Sequence, residues 1–160
     1  SKTTPFALDR QTEVFIAQLR VAQRLGLPVV LHCRGAFNEM LRVFKEYGAP
    51  PGGVLHNFSG SSELADQFMA HGLAFSMGGV LTWRNSAKRN RLLRHIYPDH
   101  LLLETDAPDI PPVEARGMAN TPANILYNLR AAAELLGESP GAVAAATTRN
   151  ARRIFFNGHP

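Results

Sequence analysis

The chain of 160 residues has a single cysteine, Cys33, a single tryptophan, Trp83, and only 19% charged residues. One thiol excludes an internal disulfide and any zinc cluster built on several thiolates. No apolar run reaches the roughly 18 residues that a membrane helix needs. The first ten residues, SKTTPFALDR, lack the apolar core of a secretory signal. A reducing cytoplasmic setting with no membrane partner is the expectation. What the chain does have is apolar bulk, 45% of its residues, enough for a packed core rather than disorder. A chain of this length buries roughly 68–70% of its unfolded surface, so residues 1–160 are expected to form one domain. The formal net charge is +4, which permits a phosphate-rich partner without requiring one. The positive charge is uneven, with Arg84, Lys88, Arg89, Arg91 and Arg94 close together. That stretch reads first as a solvated helix face and second as a nucleic-acid patch.

Short apolar runs alternate with helical patterns along the chain. Phe15, Leu19, Ala22 and Leu25 mark a helix over about 9–25 that Gly26 and Pro28 stop. PVVLHC is the first strand, and 37–47 is a helix with Phe37, Met40, Leu41 and Phe44 on one face. GVLHNF is the second strand. Ser61 reads as an N-cap for a helix buried through Leu64, Ala65 and Phe68. LAFSMGG is the third strand, about 85–96 the next helix, and LLLETDAP the fourth strand. A Pro/Gly-rich loop over 108–122 leads to two helices, one carrying Ile125, Leu129, Ala132, Ala133 and Leu136, the other starting at Pro140. Strand–helix alternation implies α/β architecture with four parallel strands and right-handed crossovers. A four-stranded open sheet and half of a (β/α)8 barrel both fit, since a whole barrel takes about 250 residues.

Parallel α/β folds gather their chemistry at the strand C-termini. His32 ends the first strand with Arg34 two residues on, His56 ends the second, and Glu104 and Asp106 end the fourth. The two-residue strand period predicts that Glu104 and Asp106 share a side, and likewise His32 and Arg34 if the first strand continues that far. Imidazole and carboxylate together suit magnesium, manganese or zinc, and such an ion makes hydroxide available near neutral pH. Asp106 would bind the metal or orient the attacking water, and Arg34 could hold a phosphoryl oxygen through two parallel bonds. A lone strand-end histidine is by default a hydrogen-bonded structural residue. Two of them with a carboxylate at a third strand leave the metal reading and the structural reading level on spacing alone. Cys33 is expected among the covering helices, and Trp83 reads equally as a packing residue or a substrate-facing aromatic. His71, His95, His100 and His159 lie at helix ends or in the tail and receive no role.

The wording and order of the motifs add to this. LPVVLHCR, GVLHNFSG, AFSMGGVLT and LLLETDAPDIPP resemble the TatD family of metal-dependent deoxyribonucleases. The later segments NTPAN at 120–124 and NARRIF at 150–155 resemble that family's N-x-P-x-N and N-x-x-R-[LI]-F. Gly78-Gly79 before Val80 and ETDAPDIP point to its bacterial YjjV-type subgroup. The resemblance implies the C-terminal half of a TIM-like (β/α)8 barrel of the metal-dependent hydrolase type. It implies His32, His56 and Asp106 as ligands of a divalent metal, with Asp106 also activating water. Arg34 and Glu104 match positions beside those ligands, where they would orient a ligand or touch substrate. DNA is the implied substrate. The family also carries an H-x-H pair on a first strand and a glutamate in G-E-x-G-L-D, and neither segment occurs in these residues. One metal would therefore bind weakly, and two open sheet edges and an exposed inner face would invite self-association or the missing half. A piece of a longer protein is the first reading. A two-chain enzyme and a metal-free remnant follow it. Outside this reading stand an inactive, self-associating nucleic-acid-binding module and a hydrolase of small esters or amides.

Overall fold

The computed structural model describes residues 5–83 and 86–156, with side chains from Leu8 onward. Arg84, Asn85 and His159 lie outside the described residues. The elements in order are α1 (Pro5–Leu25), β1 (Val29–His32), α2 (Phe37–Tyr47), β2 (Gly53–His56), α3 (Ser62–Met69), β3 (Leu73–Met77), α4 (Ala87–Ile96), β4 (Leu101–Leu103), α5 (Ile125–Leu136) and α6 (Pro140–Phe155). Short 3-10 turns occupy Gly79–Thr82, Val113–Ala115 and Pro122–Asn124. The strands form one sheet in the order β1-β2-β3-β4, all parallel. The expected α/β architecture is thus present. Ser61 caps α3 as expected, its hydroxyl accepting from the Leu64 amide at 3.2 Å. Ser86 and Ser139 cap α4 and α6 in the same way.

Side chains alternate across the sheet. Leu31, Leu55, Leu73, Phe75, Met77 and Leu101 belong to the main core with residues of α1 to α5 and Val143 of α6. Five phenylalanines knit that core together. Phe68, fully buried, meets Phe37, Phe44 and Phe58 at ring separations of 6.1–6.2 Å, and Phe58 meets Phe75 at 4.6 Å. These edge-on and tilted contacts stabilise beyond the area they bury. Cys33 packs against this core, and burial pushes its thiol pKa up, which suits a small apolar role.

The opposite face carries Val30, Val54, Ala74 and Leu102. An exposed inner face was expected, and here the structure corrects the sequence. Val54, Ala74 and Leu102 are buried, with Ala151, Ile154 and Phe155 of α6 packed against their cluster. Only the β1 edge keeps a large apolar side chain open, Val30 at 65% exposure. Asn150 fixes the helix by donating to the carbonyls of Pro98 and Leu101 at 2.7 and 2.9 Å. A second correction concerns Leu25, whose helical spacing suggested burial. It is the last residue of α1 and is 55% exposed.

Candidate metal centre

Strand register brings the two histidines together. His32 pairs with His56 across β1 and β2, and their rings lie 5.8 Å apart. Both strands end there, so the side chains leave from equivalent points on one rim. The first strand does not continue to Arg34, which lies beyond the end of β1 and still lines the same cavity as His32 and His56.

The fourth strand corrects the sequence more sharply. β4 stops at Leu103, with one further ladder bond from the Glu104 amide to Met77 O at 3.1 Å. Asp106 takes φ 56°, in the left-handed region that asparagine and aspartate tolerate better than most residues. Period two therefore cannot place Glu104 and Asp106 on one side. A turn does so, closed by the Asp109 amide on Asp106 O at 2.8 Å. The two carboxylates bracket one imidazole. Glu104 Oε2 lies 2.7 Å from His56 Nδ1, and Asp106 Oδ1 lies 3.2 Å from His56 Nε2.

The proton inventory of that bracket is informative. Buried Ser76 also donates its hydroxyl to Glu104 Oε2. A carboxylate can only accept, so His56 Nδ1 carries the proton. A neutral His56 then turns the Nε2 lone pair toward Asp106 Oδ1, another acceptor. Two acceptors 3.2 Å apart repel unless a cation stands with them: a second proton on the ring, or a metal ion. A histidine steadied by a carboxylate on its far nitrogen is also the usual setting of a metal ligand. In kind, then, these donors fit a divalent cation. In number they fall short: among the described residues no three His, Cys, Asp or Glu side chains are gathered closely enough to hold a metal ion. The structure brings His56, Glu104 and Asp106 together and leaves His32, exposed, at the side of the group.

The cavity beside this group holds about 570 Å³ and is walled by His32, Arg34, His56, Trp83, Lys88, Arg89 and Asp106 among others. Among its described lining residues, three permanent cations face one carboxylate. The basic stretch is thereby divided. Lys88 and Arg89 belong to the cavity, while Arg91 and Arg94 border a separate surface depression. Lys88 Nζ also donates to Ser59 O at 3.0 Å, and Arg94 to Leu135 O at 2.9 Å.

An asparagine ladder supports the turn, and sequence reasoning assigned it no role. Asn120, buried, donates to Thr105 O at 2.7 Å and Asp109 O at 2.5 Å and accepts from Asn124 Nδ2 at 2.8 Å. Fully buried Asn128 donates to Glu104 O at 2.7 Å. The available signal was Asn128 itself, a polar residue on the same helical stripe as Ala132 (i, i+4), where an amide survives burial only with partners. Gly78 and Gly79 provide room from the other side. A methyl group on Gly79 would overlap the carbonyl oxygen of Ile110, and one on Gly78 would meet Glu104 O at 3.0 Å. Gly79→Ala is therefore expected to cost about 1–3 kcal/mol of overpacking and to displace the 104–111 turn. Thermal unfolding followed by circular dichroism checks the first effect.

The model of the family described as TatD-related DNase matches residues 2–156. A Bacillus subtilis protein named uncharacterized metal-dependent hydrolase YabD is 37% identical over 148 residues, which is 92% of this chain and 58% of the relative. A Pectobacterium parmentieri protein named 3'-5' ssDNA/RNA exonuclease TatD is 36% identical over 153 residues, covering 92% of this chain and 59% of that protein. The crystal structure of the Escherichia coli TatD homologue YjjV superposes with a TM-score of 0.84 at 33% identity, over 92% of this chain and 57% of that structure. The chain thus spans less than three fifths of the length of each of these relatives. With the family model covering nearly all of its residues, the chain belongs to the TatD-related DNase family.

Proposed function

We propose that the chain is the part of a divalent-metal-dependent deoxyribonuclease that carries His32, His56 and Asp106. Residues 1–160 would then be one domain and the second half of a (β/α)8 barrel acting in the cytoplasm. The observation that carries the reading is the approach of Asp106 Oδ1 to His56 Nε2 at 3.2 Å, with Glu104 on the other ring nitrogen. A divalent cation held by His56 and Asp106, with His32 beside them, would supply Lewis acidity and lower the pKa of a bound water. The chain's own residues do the rest. Glu104 keeps the proton on His56 Nδ1, so Nε2 stays available as a donor of its lone pair. Asp106, which lines the cavity, would orient a water and take its proton. Arg34, Lys88 and Arg89 would attract and seat a phosphodiester. This positive wall favours a nucleic acid over a neutral ester or amide, and the name of the Pectobacterium relative agrees with that choice.

Hydrolysis of an end-labelled DNA oligonucleotide, with magnesium, manganese or zinc and a chelator control, tests the reading. Chelator-sensitive cleavage supports it. Turnover confined to carboxylic esters or amides overturns it. Glu104→Gln removes the charge that holds the Nδ1 proton, and loss of such a partner typically costs about 10–100-fold in metal affinity. Calorimetric titration with manganese is expected to show that loss, with the fold unchanged.

A further inference from the structure

Trp83 takes no part in the His56–Glu104–Asp106 group. It is the chain's one tryptophan and stands 38% exposed on the wall of the cavity that holds His32, His56 and Asp106. Its ring is not loose. Nε1 donates to Pro111 O at 3.1 Å, which ties the indole to the loop that also carries Asp106. The backbone beneath it is held as well, with Arg89 Nη2 donating to Trp83 O at 3.4 Å. A large aromatic kept partly in solvent, fixed by its polar edge, forgoes burial that the same side chain could gain in the core. Around it stand Arg34, Lys88 and Arg89, on the same cavity wall. An anchored ring among cations is the arrangement that takes a base on the ring and the neighbouring phosphates on the cations.

We propose that Trp83 is a stacking platform for one base of a single-stranded nucleic acid, next to the phosphodiester seated at the His56–Asp106 group. The proposal rests on the nucleic-acid reading above and narrows it. A base inside a duplex is stacked on its neighbours and cannot present its face to the indole, so the platform selects unpaired strands. Lys88 and Arg34 contribute charge without base preference, and Trp83 contributes the requirement for a base.

Because Trp83 is the only tryptophan, its emission reports this site alone. The measurement is fluorescence titration of the 160-residue chain, in chelator so that nothing is cleaved. The ligands are a single-stranded DNA, a single-stranded RNA, an abasic oligomer of equal phosphate count and a DNA duplex. Both base-bearing single strands are expected to quench the emission and to bind about 10-fold more tightly than the abasic oligomer, within the range measured for one stacked base. The duplex is expected to leave the emission unchanged. Trp83→Phe should keep most of the ratio between base-bearing and abasic strands, and Trp83→Leu should remove it, each with an unchanged circular dichroism spectrum. Affinity for those variants is read by anisotropy of a labelled oligomer. Equal affinity for abasic and base-bearing strands overturns the proposal, as does a ratio that survives in Trp83→Leu. Since no metal or turnover is involved, failed cleavage with intact base dependence would count against the hydrolytic reading and leave this one standing.

Discussion

Asp106→Ala is expected to lower chelator-sensitive cleavage of a DNA oligonucleotide by roughly 100- to 10,000-fold, the span over which a positioned acid–base group contributes. The substitution would remove one of the two groups of the proposed cation site and the carboxylate that would take the proton of the attacking water. It leaves Glu104 on His56 Nδ1 and Asn120 on Thr105 O and Asp109 O, so the turn keeps its supports. Fold and cleavage therefore separate in this variant: the melting temperature should move little. A variant that cleaves like the parent chain would remove Asp106 from the chemistry.

The largest expected effect on stability lies one layer below the site. Phe68→Ala empties a fully buried position that meets three other phenylalanines, and such a change typically costs about 3–5 kcal/mol. Domains have only about 5–15 kcal/mol in total. At roughly 2–4 °C per kcal/mol for a chain of this size, the melting temperature should fall by about 10 °C. Phe58 links that loss to function, since it touches Phe68 on one side and lines the site cavity on the other. Urea unfolding should give a lower midpoint with an unchanged slope. A fall of under about 1 kcal/mol would show that the aromatic cluster can collapse around the gap.

The way each site residue reached its position shows what a linear sequence can carry. His32 and His56 end two β-branched runs, and parallel pairing places strand ends side by side. Their proximity follows from local pattern and sheet geometry alone. Glu104 and Asp106 were joined by a strand period that stops applying after Leu103. They meet around His56 because Asp106 adopts a left-handed conformation, which depends on tertiary support from Asn120 and on the space at Gly79. A reader of the sequence sees those residues without seeing what they hold. The covered inner face is a similar case. Ala151, Ile154 and Phe155 lie on the last helix, and nothing local in the sequence says that it packs on the face opposite the main core. The division of the basic stretch also depends on the fold, since the placement of α4 directs Lys88 and Arg89 to the site and Arg91 and Arg94 away from it.

The central claim is that His56 and Asp106 together bind a divalent cation. The most direct test is the loss of the free manganese signal in electron paramagnetic resonance as the chain is added. Uptake by the parent chain should be weak and limited to one ion, and it should vanish in both His56→Ala and Asp106→Ala. A parent chain that takes up no manganese, or an Asp106→Ala chain that takes up as much as the parent, would contradict the claim.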